Sequence, residues 1–210
     1  NGVIHAVPAV IAPPTRVLLD TIARDPDFTY LVAAVVRADS GLASNSTSRL
    51  QYALGEPLAS LTVFAPTNAA FQQLIYGLVY QQVFAATGNA VLADATANGA
   101  VAAGPAFLNT NNVSTTLVRG IVAYHVLGQR AFTVNFPTTG ASFPTLLNGA
   151  IPSHPGVTVT SSLTGPFGTG LTVKGIANAT ASTASATATG VDRHAINGVL
   201  YKINQVLLPQ

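Results

Sequence analysis

The spacing of apolar residues changes along this 210-residue chain, and that change limits the fold class more than any other feature. Residues 15–39, 68–79 and 114–127 repeat apolar side chains every three or four positions, which predicts amphipathic helices. Residues 60–65 predict one buried strand, and later segments alternate apolar and polar residues with the period of a strand. Those later segments are 131–136, 141–147, 156–163, 170–176 and 196–208. Helices followed by strands predict an α+β domain.

Three connecting segments follow neither period. Residues 40–58 are predicted to form a polar connection, and residues 86–112, rich in Ala, Gly and Asn, an irregular insertion. Residues 177–190 are of low complexity, and their Thr content is compatible with either a strand or a loop. Within the first helical region, Asp25 is a predicted N-cap and Pro26 fits the first turn of a second helix.

Charged residues make up only 8 % of the chain, against about 25 % in an average soluble domain. The surface must therefore be built mainly from Thr, Ser, Asn, Gln and Gly, a composition common in secreted and cell-surface proteins. The nine basic residues are scattered and the net charge is +2, so the dense basic stripe of a nucleic-acid-binding surface is lacking. No uninterrupted apolar run approaches the roughly 18 residues of a transmembrane helix, and we predict no membrane span here.

Residue types that carry out catalysis or bind metals are few and dispersed. The sequence has no Cys, which excludes disulfides, thiolate metal sites and Cys nucleophiles. Its histidines, His5, His125, His154 and His194, do not have the spacing of a helical zinc site. The seven acidic residues indicate no paired-carboxylate site, and neither a nucleophile-elbow motif nor a glycine-rich phosphate loop occurs. We therefore predict no enzymatic activity and no cofactor.

Three Asn-x-Ser/Thr sequons make Asn45, Asn112 and Asn178 candidate N-glycosylation sites. All three lie in predicted loops, where an attached glycan would have room. In a chain this rich in Asn, Ser and Thr, chance sequons are also expected.

Three segments in a fixed order carry a resemblance to the fasciclin-like (FAS1) domain family. They are LTVFAPTNAAFQQL (61–74), IVAYHVLGQRAF (121–132) and INGVLYKINQVLLP (196–209). They resemble the family's first signature segment, its Tyr-His segment and its second signature segment. The resemblance covers residues 15–209 and is weak in 86–112 and 177–192. It implies the FAS1 fold, in which N-terminal helices pack on a β-sandwich or wedge of mostly short strands.

The signature positions have physical roles that can be predicted. They are Thr62, Phe64, Pro66, Thr67, Asn68, Phe71, Asn197, Gly198, Leu207, Leu208 and Pro209. Pro66 lacks an N–H group and is predicted to end the strand, while Thr67 or Asn68 caps the following helix. Asn197 and Gly198 are predicted to supply the positive φ angles of a tight hairpin turn.

The pair Tyr124 and His125 has two interpretations. The resemblance implies a recognition site, since the Tyr-His region is implicated in integrin binding in some animal members of the family. The alternative is a buried His whose ring nitrogens bond to neighbouring backbone or signature side chains. Flanking residues needed for integrin recognition are not matched here, which favours the structural interpretation.

The first fourteen residues, NGVIHAVPAVIAPP, follow the same pattern as the last fourteen, NGVLYKINQVLLPQ. Both start with Asn-Gly-Val and place Val and Pro at the same later offsets. The resemblance implies that residues 1–14 are the terminal strand and linker of a preceding FAS1 repeat, and that 15–210 form one FAS1 domain of a tandem protein. Chance similarity between two alternating segments is the other interpretation.

Three functions are compatible with these features. The first is an extracellular or cell-surface adhesion module that binds cells, matrix proteins or glycans through weak multivalent contacts. The second is a structural repeat of a surface filament or layer, whose partners are other FAS1 repeats of the same or another chain. The third is a small-ligand binder, which no sequence feature specifically supports. All three suit a secreted or cell-surface location, on a bacterium or in an extracellular matrix.

Overall fold

A computed structural model of the protein describes residues 1–2, 4, 6, 13–110, 113–162, 170–184 and 192–210. Its α-helices are α1 (Leu18–Ala23), α2 (Thr29–Ala38), α3 (Leu50–Gly55), α4 (Asn68–Thr87), α5 (Ala90–Ala102) and α6 (Thr115–Tyr124). Its strands are β1 (Leu61–Pro66), β2 (Val126–Leu127), β3 (Ala141–Phe143), β4 (Val157–Ser162), β5 (Gly170–Lys174), β6 (Ser182–Ala184), β7 (Arg193–Ala195) and β8 (Gly198–Ile203). Short 3-10 helices span Pro26–Phe28, Gly104–Asn109, Thr133–Asn135 and Leu146–Gly149. This order of helices and strands confirms the predicted α+β class.

The strands join in the order β2-β1-β8-β6-β5-β4-β3, and β7 also pairs with β8. β1 and β8 are parallel along their whole length, from Leu61 opposite Gly198 to Pro66 opposite Ile203, while the other pairs are antiparallel. β6 meets β8 through one residue pair, Ala184 opposite Ile203. The described sheet thus consists of two groups of short strands with a narrow junction between them.

β1 and β8 form the centre of the core. All six residues of β1 are buried, as expected for a parallel strand covered on both faces. The ring of Phe64 on β1 lies 5.7 Å from that of Tyr201 on β8, and Phe136 packs against both at 6.5 and 6.1 Å. These aromatic contacts add specific geometry to the burial of apolar area.

The first signature segment behaves as predicted at its strand-to-helix junction. β1 ends at Pro66, and the Thr67 hydroxyl accepts a hydrogen bond from the Ala70 N–H at 3.3 Å, so Thr67 is the N-cap of α4. Asn68 bonds instead to a different element: its carbonyl oxygen accepts from the Tyr30 N–H at 3.1 Å and its amide donates to the Pro26 oxygen at 2.8 Å. Asn68 therefore attaches the start of α4 to the start of α2.

The prediction of irregular structure for residues 86–112 is wrong over most of that range. α4 continues to Thr87, and α5 occupies Ala90–Ala102. Asn89 caps α5 by accepting from the Leu92 N–H at 3.0 Å, and Ala93 and Ala97 are fully buried. Alanines four positions apart form one face of a helix, and their small size allows close packing against α4. The Ala content that suggested irregularity thus favours a helix.

Residues 40–58 are also more ordered than predicted, because they include α3. The buried carboxylate of Asp39 accepts from the Leu50 N–H at 2.8 Å and from the Gln51 N–H at 2.9 Å. It caps α3 from outside that helix, and Arg119 compensates its charge at 3.2 Å. The N-cap residue of α3, Arg49, makes no capping side-chain bond, so the start of this helix depends on an acidic residue eleven positions before Leu50.

The strand predicted at residues 131–136 is a 3-10 helix over Thr133–Asn135. The backbone N–H groups bond here to side chains instead of to a neighbouring strand. Asn135 accepts from the Phe132 N–H, and Asp192 accepts from the Thr133 N–H, both at 2.8 Å. The predicted strand at 141–147 likewise ends at Phe143, and a 3-10 helix begins at Leu146. The final strand ends at Ile203, before the predicted end at residue 208.

The prediction of positive φ angles at Asn197 and Gly198 is wrong. A Cβ atom at Gly198 would overlap the carbonyl oxygen of Leu61, so glycine is required by the close approach of β8 to β1. The buried Asn197 side chain accepts from the Leu18 N–H at 2.8 Å and donates to the oxygens of Leu54 and Glu56 at 2.9 and 3.0 Å. It joins α1, α3 and the β7–β8 turn.

We expect Gly198→Ala to lower the free energy of unfolding by about 1 to 3 kcal/mol, because backbone must move to admit the methyl group. The matched control is Gly99→Ala, at an exposed α5 position where an added Cβ meets nothing within 4 Å. That variant should gain about 0.5 to 1 kcal/mol from helix propensity. Urea unfolding of both variants measures the difference, and equal effects would contradict the close-approach explanation.

Candidate functional site

Tyr124, half of the predicted recognition pair, is fully buried at the end of α6. Its hydroxyl donates to the Gly156 oxygen at 2.6 Å and accepts from the Ile176 N–H at 3.2 Å. The hydroxyl thereby joins α6 to the loops before β4 and after β5. Burial raises the pKa of Tyr124, and the Ile176 bond offsets part of that rise.

His125, the C-cap of α6, is 2 % exposed. Its Nδ1 lies 2.7 Å from the Ile121 oxygen, and its Nε2 accepts from the Leu207 N–H at 2.9 Å. This pairing requires a hydrogen on Nδ1 and a lone pair on Nε2, which defines the neutral tautomer. Burial lowers the pKa of His125 from 6.5 to about 4, and the Ile121 bond opposes that shift only in part.

Neither Tyr124 nor His125 presents a surface to a partner in this conformation, which supports their structural interpretation. Thr62 and Pro209, two other signature residues, also bond inside the domain. The Thr62 hydroxyl donates to the Gln129 oxygen at 2.7 Å and accepts from the Ala131 N–H at 2.9 Å. The Pro209 oxygen lies 3.0 Å from the Nε2 atom of His154.

The three sequons have different positions. Asn178 is buried; its amide donates to the Val206 oxygen at 2.9 Å and its carbonyl oxygen accepts from the Leu208 N–H at 2.8 Å. A glycan on that amide nitrogen is incompatible with this structure. Asn45 is exposed, so it stays a candidate, and Asn112 lies outside the described residues.

Charged side chains cluster where the 3-10 helix Pro26–Phe28 meets β7 and β8. Arg193 bonds to the Asp25 carboxylate at 2.6 Å, and Lys202 pairs with Asp27 and lies 5.3 Å from the centre of the Phe28 ring. Burial raises the pKa of Asp25, but bonds from Arg193 and the Asp27 N–H and the nearby Lys202 charge lower it overall. These ion pairs form within the domain and attach the 3-10 helix Pro26–Phe28 to β7 and β8.

Within the described ranges, no group of three or more His, Cys, Asp or Glu side chains could hold a metal ion. Of the helices that the structure describes, none combines the length and apolar character needed to cross a membrane.

The most exposed apolar surface of a long element lies on the α4–α5 hairpin. The buried residues of α4 are Ala70, Phe71 and Ile75, all in its first half, so its second half extends beyond the core and packs against α5. Three α4 rings follow one another at four-residue spacing. Tyr76 and Tyr80 have ring centres 5.9 Å apart at 21°, and Tyr80 and Phe84 are 5.9 Å apart at 11°.

An open depression of about 430 Å³ lies between the two helices, lined by Tyr76, Tyr80, Ala90, Val91 and Asp94. The Tyr76 hydroxyl donates to the Asp94 carboxylate at 2.7 Å. Val91 is 80 % exposed and Phe84 44 %. We name Tyr76, Tyr80, Phe84, Val91 and Asp94 the hairpin face.

The α4–α5 hairpin carries almost no charge, because Asp94 is the single charged residue between positions 68 and 102. Sequence reasoning assigned a helix here from its core-facing residues and missed the hairpin face. The usable signal was the spacing of Tyr76, Tyr80 and Phe84, which lie on one face of a helix and are not needed for its buried stripe.

Comparison with known proteins places this architecture in a family. The model of the Fasciclin domain matches residues 26–209. A solved structure of a FAS1 domain pair from the insect cell adhesion molecule Fasciclin I is 17 % identical, with a TM-score of 0.40, over 71 % of this chain and 37 % of that one. The chain therefore spans well under half of that structure's length. No curated protein matches.

Because the family match covers most of the sequence, the chain belongs to the Fasciclin domain family. The resemblance carried by the three signature segments is thereby confirmed, as is the α+β FAS1 fold. Members of the family are associated with cell adhesion, are generally not enzymes and are typically found outside the cell or on its surface.

The His125 geometry predicts a pH-dependent stability. The folded-state pKa of about 4 is below the ordinary histidine pKa of 6.5, so the unfolded chain binds more protons between these pH values. The free energy of unfolding is therefore unaffected by His125 above pH 6.5. It falls by on the order of 3 kcal/mol as the pH is lowered from 6.5 toward about 4.

Urea unfolding between pH 4 and 7.5 measures this loss against His125→Gln, which cannot titrate. Carboxylates contribute equally to both proteins. The difference between the two plots of unfolding free energy against pH therefore gives the contribution of His125. Parallel pH profiles for the two proteins would contradict the assignment of a buried neutral His125.

Proposed function

We propose that this domain is an adhesion module of a cell surface or extracellular matrix, acting through weak contacts that multivalent display multiplies. The observation that supports the proposal most directly is the almost uncharged hairpin face, with Phe84, Val91 and Asp94 exposed, on a member of a family associated with cell adhesion. Exposed apolar patches on soluble domains mark interaction sites. The buried Tyr124 and His125 leave the hairpin as the better candidate.

A weak single contact is consistent with the dimensions of this face. Five side chains on two helices form a small patch, well below the area of a stable protein–protein interface. Linking several such patches turns later binding events into intramolecular ones, so avidity can exceed single-site affinity by roughly 100- to 10,000-fold. A tandem or clustered arrangement of domains would therefore suit the function.

The alternative of a structural repeat assembled by strand addition has less support. The strands at the two ends of the described sheet, β2 and β3, have two and three residues and offer little edge for another chain. Residues 1–14, expected to be a terminal strand and linker, could supply a strand to such an edge, but most of them lie outside the described residues.

The proposal predicts that beads carrying this domain cluster or attach to cells, and that Val91→Glu weakens both effects. Val91 is 80 % exposed in the first turn of α5, where a Glu is compatible with the helix, so the added charge should alter the hairpin face without unfolding the domain. The matched control is Val134→Glu, which changes a 69 % exposed Val on a different element.

Bead aggregation and cell attachment are scored by microscopy for wild type and both variants. We expect at least a several-fold loss for Val91→Glu and none for Val134→Glu. Absence of clustering and attachment by the wild-type domain at high bead density would contradict the adhesion function. Equal loss in both variants would contradict the assignment to the hairpin.

A further inference from the structure

The three rings of the hairpin face form a pre-ordered row. The rings of Tyr76, Tyr80 and Phe84 are nearly parallel, with neighbouring centres 5.9 Å apart, so each ring limits the rotamers of its neighbour. That separation exceeds the roughly 3.5 to 4 Å of direct face-to-face contact, so the rings do not fully cover one another's faces. The bond from the Tyr76 hydroxyl to Asp94 fixes one end of the row to α5. A ligand that packs on these rings would meet a surface already ordered before binding.

Asp94 supplies polar recognition beside the rings. Its carboxylate accepts from the Tyr76 hydroxyl at 2.7 Å and from the Asn98 amide at 3.1 Å. A carboxylate offers about four lone-pair directions, so acceptor capacity is left for hydroxyl groups of a ligand. Asp94 is exposed, which makes that capacity accessible from the depression.

The charge of the hairpin limits the chemical class of ligand that it can bind. The hairpin has no Lys, Arg or His between positions 68 and 102, so nothing there would neutralise a sulfated or carboxylated ligand, and Asp94 would repel it. Exposed amides of Gln72, Gln73 and Gln81, each three or four positions from Tyr76 or Phe84 on α4, add uncharged donors and acceptors on the side of the helix that carries the rings. This composition suits a neutral ligand with many hydroxyl groups.

We propose that the hairpin face binds a neutral polysaccharide, with sugar rings packed on Tyr76, Tyr80 and Phe84 and a sugar hydroxyl bonded to Asp94. The weakly positive C–H groups on the faces of sugar rings are attracted to the negative faces of aromatic rings. A row of rings along one helix matches a linear chain of sugars better than a single small molecule. This inference deepens the proposed adhesion function by naming a partner class for the same surface.

The test is retention of the wild-type domain on insoluble cellulose, chitin and starch, with alginate gel as the anionic comparison. We expect binding to at least one neutral polymer and no preference for alginate. The informative variant is Tyr80→Leu, which keeps apolar bulk on the helix but removes the ring. It should reduce the affinity for the polymer by about two- to tenfold, and Tyr76→Leu combined with Tyr80→Leu by more.

The matched control is Tyr52→Leu. Tyr52 is 48 % exposed on α3, and the neighbouring Glu56 carboxylate raises its pKa, so it is a Tyr beside an acidic residue, as Tyr76 is, but away from the hairpin. Its loss should leave binding unchanged. Thermal unfolding of each variant verifies that the domain remains folded.

Unchanged binding by Tyr80→Leu, or no retention on any neutral polymer, would overturn the inference. Self-association that Val91→Glu abolishes, without polymer binding, would also overturn it and assign the face to contacts between copies of this chain. Cell attachment that survives Tyr80→Leu would leave the adhesion function standing while the polysaccharide assignment fails. Polymer retention without bead clustering or cell attachment would support the polysaccharide assignment while the adhesion function fails.

Discussion

Parallel pairing between β1 and β8 is the interaction on which the rest of the domain depends. It brings Leu61 beside Gly198 and Pro66 beside Ile203, so most of the chain forms the connection between two adjacent strands. Closing a connection of this length costs chain entropy before any contact forms, which makes folding slower than in helical domains of the same size. The other strands are arranged around this pair, as are α2, which is attached through Asn68, and α3, which is capped by Asp39.

Buried polar side chains keep the irregular segments in place around that pair. Asn197, Asn178 and His125 each bond to backbone groups at helix ends or outside helices and ladders, where a water molecule would otherwise be needed. Among the signature residues, Thr62, Asn68 and Asn197 thus act as internal connections, since the side chain of each one bonds to a group in a distant segment.

The sequence predicted well wherever a structural element is specified by adjacent residues. The Asp25–Pro26 helix start, the Pro66 strand end and the Thr67 cap all involve neighbours only a few positions apart. Prediction failed where the partner is remote: Asp39 caps α3, Asp192 bonds to Thr133 where a strand was expected, and Gly198 is dictated by Leu61. The hairpin face was missed for another reason, because an apolar residue on a helix is assumed to face the core until the neighbouring elements are known.

The near absence of charge on the α4–α5 hairpin has a consequence for the environments in which the domain can work. The screening length in water falls from about 10 Å at 0.1 M ionic strength to about 3 Å at 1 M, and contacts that rely on charged pairs weaken accordingly. A surface of rings, amides and one carboxylate has little to lose from that change. Contacts made through this hairpin would therefore keep nearly the same strength in fresh water, in seawater and in concentrated brine.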